Sequence, residues 1–362
     1  MKTVYIEPNI STGGTLVLKS MTVWLSLIVL LLGCSPRAID YDQVGAHDKL
    51  IIRFSHVTGE ETPKGLAAKR FKEIVETRSD GKIEVQVFPN STLFSDKEEL
   101  KALKRGEIQL IAPATSKVSP LVPEALLFDL PYLFHNQDDV WKIADGPIGE
   151  ELNQLLEKQG YKMLAVWDNG FKQLTNNRHP IERPEDFKDL SFRIMPSKVL
   201  AKQFESVGST SMVLAFDELY TALEQGHVDG EENTVSNIYS KKLYLTQKYM
   251  TKSDHGYLGY FVLTQKEFWE AIPPEQRELL EQALVEVTEW ERNLALDIDI
   301  KEYEALKAIQ GLEIYELSEE EKQQWREAFY LTYEWFASQT QDEIIKGFIT
   351  EIFEEGTSSK DK

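Results

Sequence analysis

The stretch D-L-S-F-R-I-M-P-S at Asp189–Ser197 places one charged side chain, Arg193, in the middle of a short apolar segment. The leucine, phenylalanine, isoleucine and methionine around it predict a buried strand. A buried guanidinium is costly unless a carboxylate meets it, and its planar fork suits a carboxylate through two contacts. Two interpretations remain open: Arg193 forms an internal ion pair, or it binds an external acid.

Length and charge limit the classes of function. A chain of 362 residues, 42% hydrophobic and 28% charged, can bury a full core and predicts two globular domains. Its formal net charge is −20, from 60 acidic and 40 basic side chains. Nucleic-acid binding needs a basic footprint, so this charge excludes nucleic acid as a partner. Any anion site must be local and enclosed, because no long-range field attracts an anion.

An export signal is predicted at residues 1–33. Lys19 precedes the apolar run Met21–Leu32, which is too short for a membrane-spanning helix of about 20 apolar residues. A basic flank, a short apolar core and a small residue before the cut are typical of a secretory signal. The residues before Met21 read as an upstream extension, so both Met1 and Met21 remain open as the start.

Cys34 follows this signal and is the single cysteine of the chain. It lies where bacterial lipoproteins are cleaved and lipidated, and the stretch resembles a lipobox. The alternative is a cysteine of the signal region that carries no lipid. No cysteine remains to pair with it, so the mature fold has no disulfide. Residues 34–47, polar and irregular, predict a tether.

The first third of the chain alternates strands and helices. Strands and helices follow one another over Leu50–Pro113, a pattern typical of a doubly wound α/β fold with a parallel sheet. Lys64 falls on the first turn of the first helix, directly after a strand, where open α/β sheets bind anions. Thr115 and Ser116 follow the third strand. Lys64 could equally be a solvated lysine, and the two hydroxyls could simply cap the next turn.

The second half predicts a crossing into another domain and back. A strand at Lys162–Asp168 leads through a polar segment to the strand of Arg193, and an alternating strand at Tyr257–Leu263 returns. Pro274–Ile309 is almost unbroken helix-former, long enough to span both domains.

Signals for catalysis are missing from the sequence. There is no nucleophile elbow, no phosphate-binding glycine loop and no zinc-binding His-Glu-x-x-His helix. The adjacent acids Glu231 and Glu232 should point apart and suit solvent better than acid–base chemistry. We therefore predict a protein that is not an enzyme and needs no cofactor or metal.

Five segments, taken in order, resemble the solute-binding subunits of TRAP (tripartite ATP-independent periplasmic) transporters, specifically the DctP-type dicarboxylate-binding proteins. The resemblance runs from about Leu50 to about Phe353. The segments are F-P-N-S at 88–91 with D-K-E-E-L at 96–100, N-G-F-K-Q-L-T-N at 169–176, F-R-I-M at 192–195, A-F at 215–216 before E-L-Y at 218–220, and D-G-E-E-N at 229–233.

The resemblance implies a two-lobe fold like that of periplasmic binding proteins. Each lobe would be a mostly parallel sheet flanked by helices, with a long helix spanning both. Lobe I would comprise residues 48–170 and 257–300, and lobe II residues 171–256 and 312–355.

The resemblance also implies a set of ligand-binding residues. Arg193 would clamp a ligand carboxylate, and Asn233 would hydrogen-bond the same ligand. Lys172 stands where the family commonly has a second arginine. The single ammonium group of a lysine therefore replaces the forked guanidinium of an arginine at this position. The other implied residues are Phe216 and Met195 on the lining, and Lys64, His255 and Tyr257 at the far carboxylate, with Thr115 and Ser116 as the candidate hydroxyls.

The function that follows is capture of a small carboxylate, above all a C4-dicarboxylate, for the membrane subunits of a TRAP transporter. A dianion removed from water needs two separated cations, which Arg193 and Lys64 would supply. The protein would lie outside the cytoplasm, in the periplasm or at the cell surface, anchored by lipid at Cys34. Alternatives are a sensor subunit for a receptor, a sugar-acid binder, and an unrecognised lyase or isomerase.

Overall fold

The computed structural model describes residues 49–358. The predicted signal peptide of residues 1–33 and the tether of residues 34–47, with Cys34, lie outside the described residues. All three stay predictions from the sequence.

The first described elements form a parallel β-α-β unit, as the alternation predicts. Strand β1 (Leu50–Ser55) pairs in parallel with β2 (Ile83–Phe88) on one side and with β3 (Leu110–Ile111) on the other. Every second side chain of β1 is buried, which gives the sheet its apolar face. We call β2, β1 and β3 the β1 block.

Helix α1 (Pro63–Arg78) begins where the sequence predicts. The Thr62 side chain accepts a hydrogen bond from the Gly65 amide at 3.2 Å, and Pro63 occupies the first helical position. Gly65 is required here, because a Cβ would collide with the carbonyl oxygen of Gly59. This close turn fixes the start of α1, and with it the position of Lys64 on the first helical turn.

Two long antiparallel strands occupy the centre of the sheet. Strand β4 (Tyr161–Asn176) and strand β8 (Tyr249–Gln265) are both much longer than the sequence predicts. The predicted strands end where the sequence becomes polar. In the structure these polar residues remain in the sheet, because they are buried and the two strands pair with each other there. Three register shifts interrupt the β4–β8 pairing.

The remaining strands form a second parallel unit. Strand β5 (Ser191–Ile194) pairs in parallel with β6 (Thr210–Val213) and β7 (Gly230–Thr234), and we call these strands the β5 block. One nine-stranded sheet results, in the order β2-β1-β3-β8-β4-β7-β5-β6, with β9 (Glu313–Glu316) parallel to β8. This confirms the predicted α/β class with mostly parallel sheets. The lobe boundaries stay a prediction.

Helices cover the sheet, and one of them is 34 residues long. At 1.5 Å per residue it measures about 51 Å, and it packs on α1, on β4 and on the helix that follows β7. The described chain contains no helix that is both long enough and apolar enough to cross a membrane. The other helices, in order, are α2 (Glu99–Lys104), α3 (Thr115–Val118), α4 (Gln137–Ala144), α5 (Pro147–Lys158), α6 (Lys198–Ser206), α7 (Phe216–Glu224), α8 (Val235–Ser240), α9 (Lys266–Ala271), the long α10 (Pro274–Lys307), α11 (Glu319–Ala328), α12 (Tyr330–Gln339) and α13 (Glu343–Ser358).

Candidate ligand-binding cleft

A narrow cleft is lined by residues that follow strands of the β1 block and by residues of the β5 block and β8. Several of its residues directly follow the carboxyl ends of parallel strands, where open α/β sheets bind ligands. Its lining is Val57, Thr58, Lys64, Ala114, Lys117, Arg193, Met195, Phe216, Asn233, Asn237, Leu258 and Tyr260.

Arg193 enters this cleft from β5 and is 2% exposed. Its Nε donates to the Leu214 carbonyl at 3.0 Å, and within residues 49–358 no carboxylate forms an ion pair with the guanidinium. Burial lowers the pKa of Arg193, an effect that the charges of Glu231 and Glu232 partly offset. Arginine nevertheless stays protonated in proteins. The two terminal nitrogens of the fork therefore have no internal acid to bind.

Lys64 reaches the cleft from the first turn of α1 and is fully buried. Its Nζ donates to the Ala112 carbonyl at 2.9 Å and lies 3.7 Å from the centre of the Tyr260 ring. Burial lowers the pKa of Lys64 to about 7, against the opposing charges of Glu99 and Glu291. A ligand carboxylate beside Lys64 would stabilise its charged form.

Lys117 is a third cation of the cleft that sequence reasoning missed. It lies on α3, one position beyond the hydroxyls that the sequence singled out, and it pairs with the buried side chain of Asp96. Burial, followed by the charges of Arg193 and Lys64, lowers the pKa of Lys117. The sequence feature that could have identified Lys117 as a cleft residue is its position on the turn after β3.

Asparagine side chains add neutral hydrogen-bonding groups. The Asn233 amide donates to Glu231 at 3.0 Å, and its oxygen accepts from the Asn237 amide at 2.7 Å. Asn237 and Tyr260, like Thr58, were not predicted, because nothing in their local sequence marks them as ligand-facing. The cleft thus combines three cations, two amides and the apolar side chains of Met195 and Phe216. Among residues 49–358, no group of acids, histidines or cysteines is arranged to hold a metal ion.

Comparison with known proteins decides the family. Residues 54–340 match the family described as bacterial extracellular solute-binding protein, family 7. The chain belongs to family 7. It is 48% identical over 286 residues to the C4-dicarboxylate-binding protein DctB of Bacillus subtilis strain 168, a match that covers 79% of this chain and 82% of DctB. The resemblance to DctP-type TRAP solute-binding proteins is confirmed.

Solved structures of similar proteins have the same fold. A TRAP periplasmic solute-binding protein from Sulfurospirillum deleyianum, with bound succinate, aligns with a TM-score of 0.80 and 41% identity, covering 84% of this chain and 99% of that one. The sugar-acid-binding protein DctPAm from Advenella mimigardefordensis, in complex with galactonate, aligns with a TM-score of 0.80 and 31% identity. The alignment covers 84% of this chain and 97% of that one.

Lys172 and His255 of this family 7 protein do not line the cleft. Lys172 Nζ lies 2.5 Å from one oxygen of Glu232, and His255 Nε2 lies 2.9 Å from the other. Although burial opposes it, Lys172 followed by His255 lowers the pKa of Glu232 to about 2. Lys172 is therefore neutralised by an acid of the protein itself, and His255, whose pKa burial lowers, hydrogen-bonds the same acid. The expectation that Glu231 and Glu232 face solvent is wrong, because both are buried.

Three further predicted residues are also placed away from the cleft lining. Tyr257 is buried, with its ring against three phenylalanines, because its position on β8 faces the apolar side of the sheet. The Ser116 hydroxyl donates to Asp129 at 2.7 Å, which satisfies it internally. Thr115 is buried at the start of α3. By contrast, the cleft brings together Arg193, Lys64, Asn233, Phe216 and Met195.

Proposed function

We propose that this protein is the extracytoplasmic solute-binding subunit of a TRAP transporter and that it captures a C4-dicarboxylate. One observation carries the proposal: Arg193 is buried at the cleft and has no ion pair within the described chain. Leaving a buried cation without an internal acid costs folding free energy, which an external carboxylate offsets.

The second cation sets the class of ligand. Lys64 lines the same cleft from a different element, so one carboxylate would contact Arg193 and the other Lys64. A sugar acid such as the galactonate bound by DctPAm has one carboxylate, which would leave one of these cations without a partner. The dicarboxylate matches the charges better.

Two experiments test this function: identification of the bound ligand by its mass, and replacement of Lys64. Native mass spectrometry of the purified protein should show retained ligand, and calorimetry should show binding of succinate, malate or fumarate. Lys64→Gln should weaken succinate binding at least about tenfold and a C4 monocarboxylate such as butyrate much less. Equal losses for both ligands would defeat the two-cation scheme. Galactonate binding with no dicarboxylate binding would favour the sugar-acid alternative.

Delivery to the membrane subunits completes the proposed role. A closed cleft excludes water and strengthens each charge–carboxylate contact, and docking on the transport subunits would release the ligand. The binding step makes no covalent bond, so no catalytic residue is assigned. Crosslinking in cells should capture the TRAP membrane subunits; capture of a signalling receptor instead would support the sensor alternative.

We also propose that lipid on Cys34 anchors the protein to the membrane. The support is the apolar run Met21–Leu32, which is followed directly by Gly33 and Cys34. Cells should incorporate radiolabelled fatty acid into the protein, and Cys34→Ala should abolish the label. Unchanged labelling of the variant would contradict the anchor.

A further inference from the structure

One cation of the cleft carries an acid of its own. Lys117 pairs with Asp96, and both side chains are buried, with 8% and 3% of their side-chain surface exposed. Arg193 and Lys64, the other two cations of the lining, form no ion pair within the described chain. Of the three lining cations, Lys117 is the one with an ion pair within the described chain, and Glu99 and Glu291 act on Lys64 by charge without pairing with it. Arg193 and Lys64 therefore remain for two ligand carboxylates.

Asp96 is held in place from both sides of the cleft. It precedes α2, next to the β1 block, while its other oxygen accepts a hydrogen bond from the backbone amide of Phe216 at 3.1 Å. Phe216 begins α7, which follows β6 of the β5 block in the chain. The carboxylate is therefore fixed behind the cleft lining, against Lys117 and Phe216, and is not a mobile surface acid.

We propose that Asp96 is a specificity-determining residue that restricts the cleft to ligands with two carboxylates. It neutralises Lys117 and so removes the cation that a third ligand carboxylate would need. A tricarboxylate would place its extra charge near Asp96, in a buried setting where like charges repel strongly. This proposal rests on the proposed function and names the feature that bounds its ligand class.

Asp96→Asn tests the proposal with little change of shape. Its amide oxygen can still accept from the Phe216 amide, while Lys117 becomes a free cation. The ligand pair is succinate and tricarballylate, which is succinate with one added carboxymethyl group. Calorimetry gives the ratio of the two dissociation constants, tricarballylate over succinate. We expect this ratio to fall at least about tenfold in the variant.

Asp217→Asn is the matched control. Asp217 follows Phe216, is exposed, and acts on Lys117 and Arg193 by charge without forming an ion pair with either. Asp217→Asn also removes one negative charge near Lys117, and we expect the ratio of the two dissociation constants to change less than about threefold. An unchanged ratio in Asp96→Asn, or an equal shift in both variants, overturns the proposal. Failure of the wild-type protein to bind succinate would instead overturn the proposed function.

A double variant covers the case in which Asp96→Asn does not fold. Lys117→Gln alone leaves the Asp96 carboxylate unpaired in the cleft, and it should weaken succinate binding at least about tenfold. Lys117→Gln combined with Asp96→Asn removes both charges, so it should fold and bind succinate at least about threefold more tightly than Lys117→Gln alone. A double variant as weak as Lys117→Gln would mean that Lys117 itself binds succinate, and the proposal fails.

Discussion

Buried cations occur in two neighbouring regions of the sheet, and the two regions differ in what neutralises them. In the cleft, Arg193 has no acid partner within the described residues. In the second region, which we call the Lys172 cluster, Lys172 and His255 share the two oxygens of Glu232 at 2.5 and 2.9 Å. The cluster is complete without a ligand, and the cleft is not.

The difference shows when a buried cation indicates a ligand site. Burying a charge costs several kcal/mol unless a partner compensates it. In the Lys172 cluster the protein's own acid neutralises the buried charge when the chain folds, so the cluster contributes to the stability of the fold. In the cleft the ligand carboxylate neutralises the buried charge, so Arg193 contributes to ligand affinity. The same type of side chain therefore has a different role according to whether the chain supplies the acid.

The largest expected effect is on folding, for Lys172→Met. The variant leaves Glu232 buried without its lysine, which should lower the free energy of unfolding by ~3–5 kcal/mol. Chemical denaturation without ligand measures this. Replacing Glu232 by Gln in the same chain should recover most of the loss. A stable Lys172→Met single variant would remove the distinction between the two regions.

The same cluster predicts a pH dependence of stability. The pKa of Glu232 lies at about 2 in the folded protein and near 4.5 when unperturbed. Its contribution is therefore present above pH 4.5 and is lost as the pH falls towards 2. Lys172→Met should lose less stability than wild type over this range.

Arg193→Met should act on binding instead. Loss of a desolvated, charge-assisted contact should weaken dicarboxylate binding by ~2–5 kcal/mol, measured by calorimetry. Stability without ligand should stay the same or rise, because an uncompensated buried charge is removed. Arg178→Met, at an arginine that is 64% exposed, is the control and should change neither quantity. Affinity within a factor of about two of wild type would make Arg193 structural.

The smallest expected effect is a pH dependence of affinity set by Lys64. Its pKa lies at about 7 in the free protein, and that of Glu99 is raised by burial to about 7, so both groups lose protons above pH 7. Dicarboxylate affinity should fall as the pH rises from 7 to 9, by up to about tenfold per unit, with proton uptake on binding. Lys64→Gln should flatten this profile. A flat wild-type profile would show that Lys64 stays charged throughout.

Local patterns predicted the parts of the fold that local physics determines. Alternating apolar residues gave β1 and β2, and the Thr62 cap with Pro63 gave the start of α1. Arg193 could be singled out because a guanidinium inside an apolar strand is unusual on any reading of the sequence.

Pairing across the sheet could not be predicted in the same way. Lys172 meets Glu232 across 60 residues of sequence, so only the β4–β7 register shows that its charge is already compensated. The same holds for Lys117 and Asp96, which no local pattern connects. The long strands were underestimated for the same reason, since their polar residues are buried only because partners exist elsewhere in the chain.

The central position of β8 bears on the order in which the chain can fold. Strand β3 ends at Ile111, but its antiparallel neighbour β8 ends at Gln265, and β9 joins β8 only at Glu313–Glu316. Pairings this distant in sequence make folding slow, because long loops must close before the contacts form. A nascent polypeptide with this topology cannot complete its sheet until nearly all of it has been synthesised. Until that point the edges of β3 and β8 have no partner, so the central part of the sheet forms last.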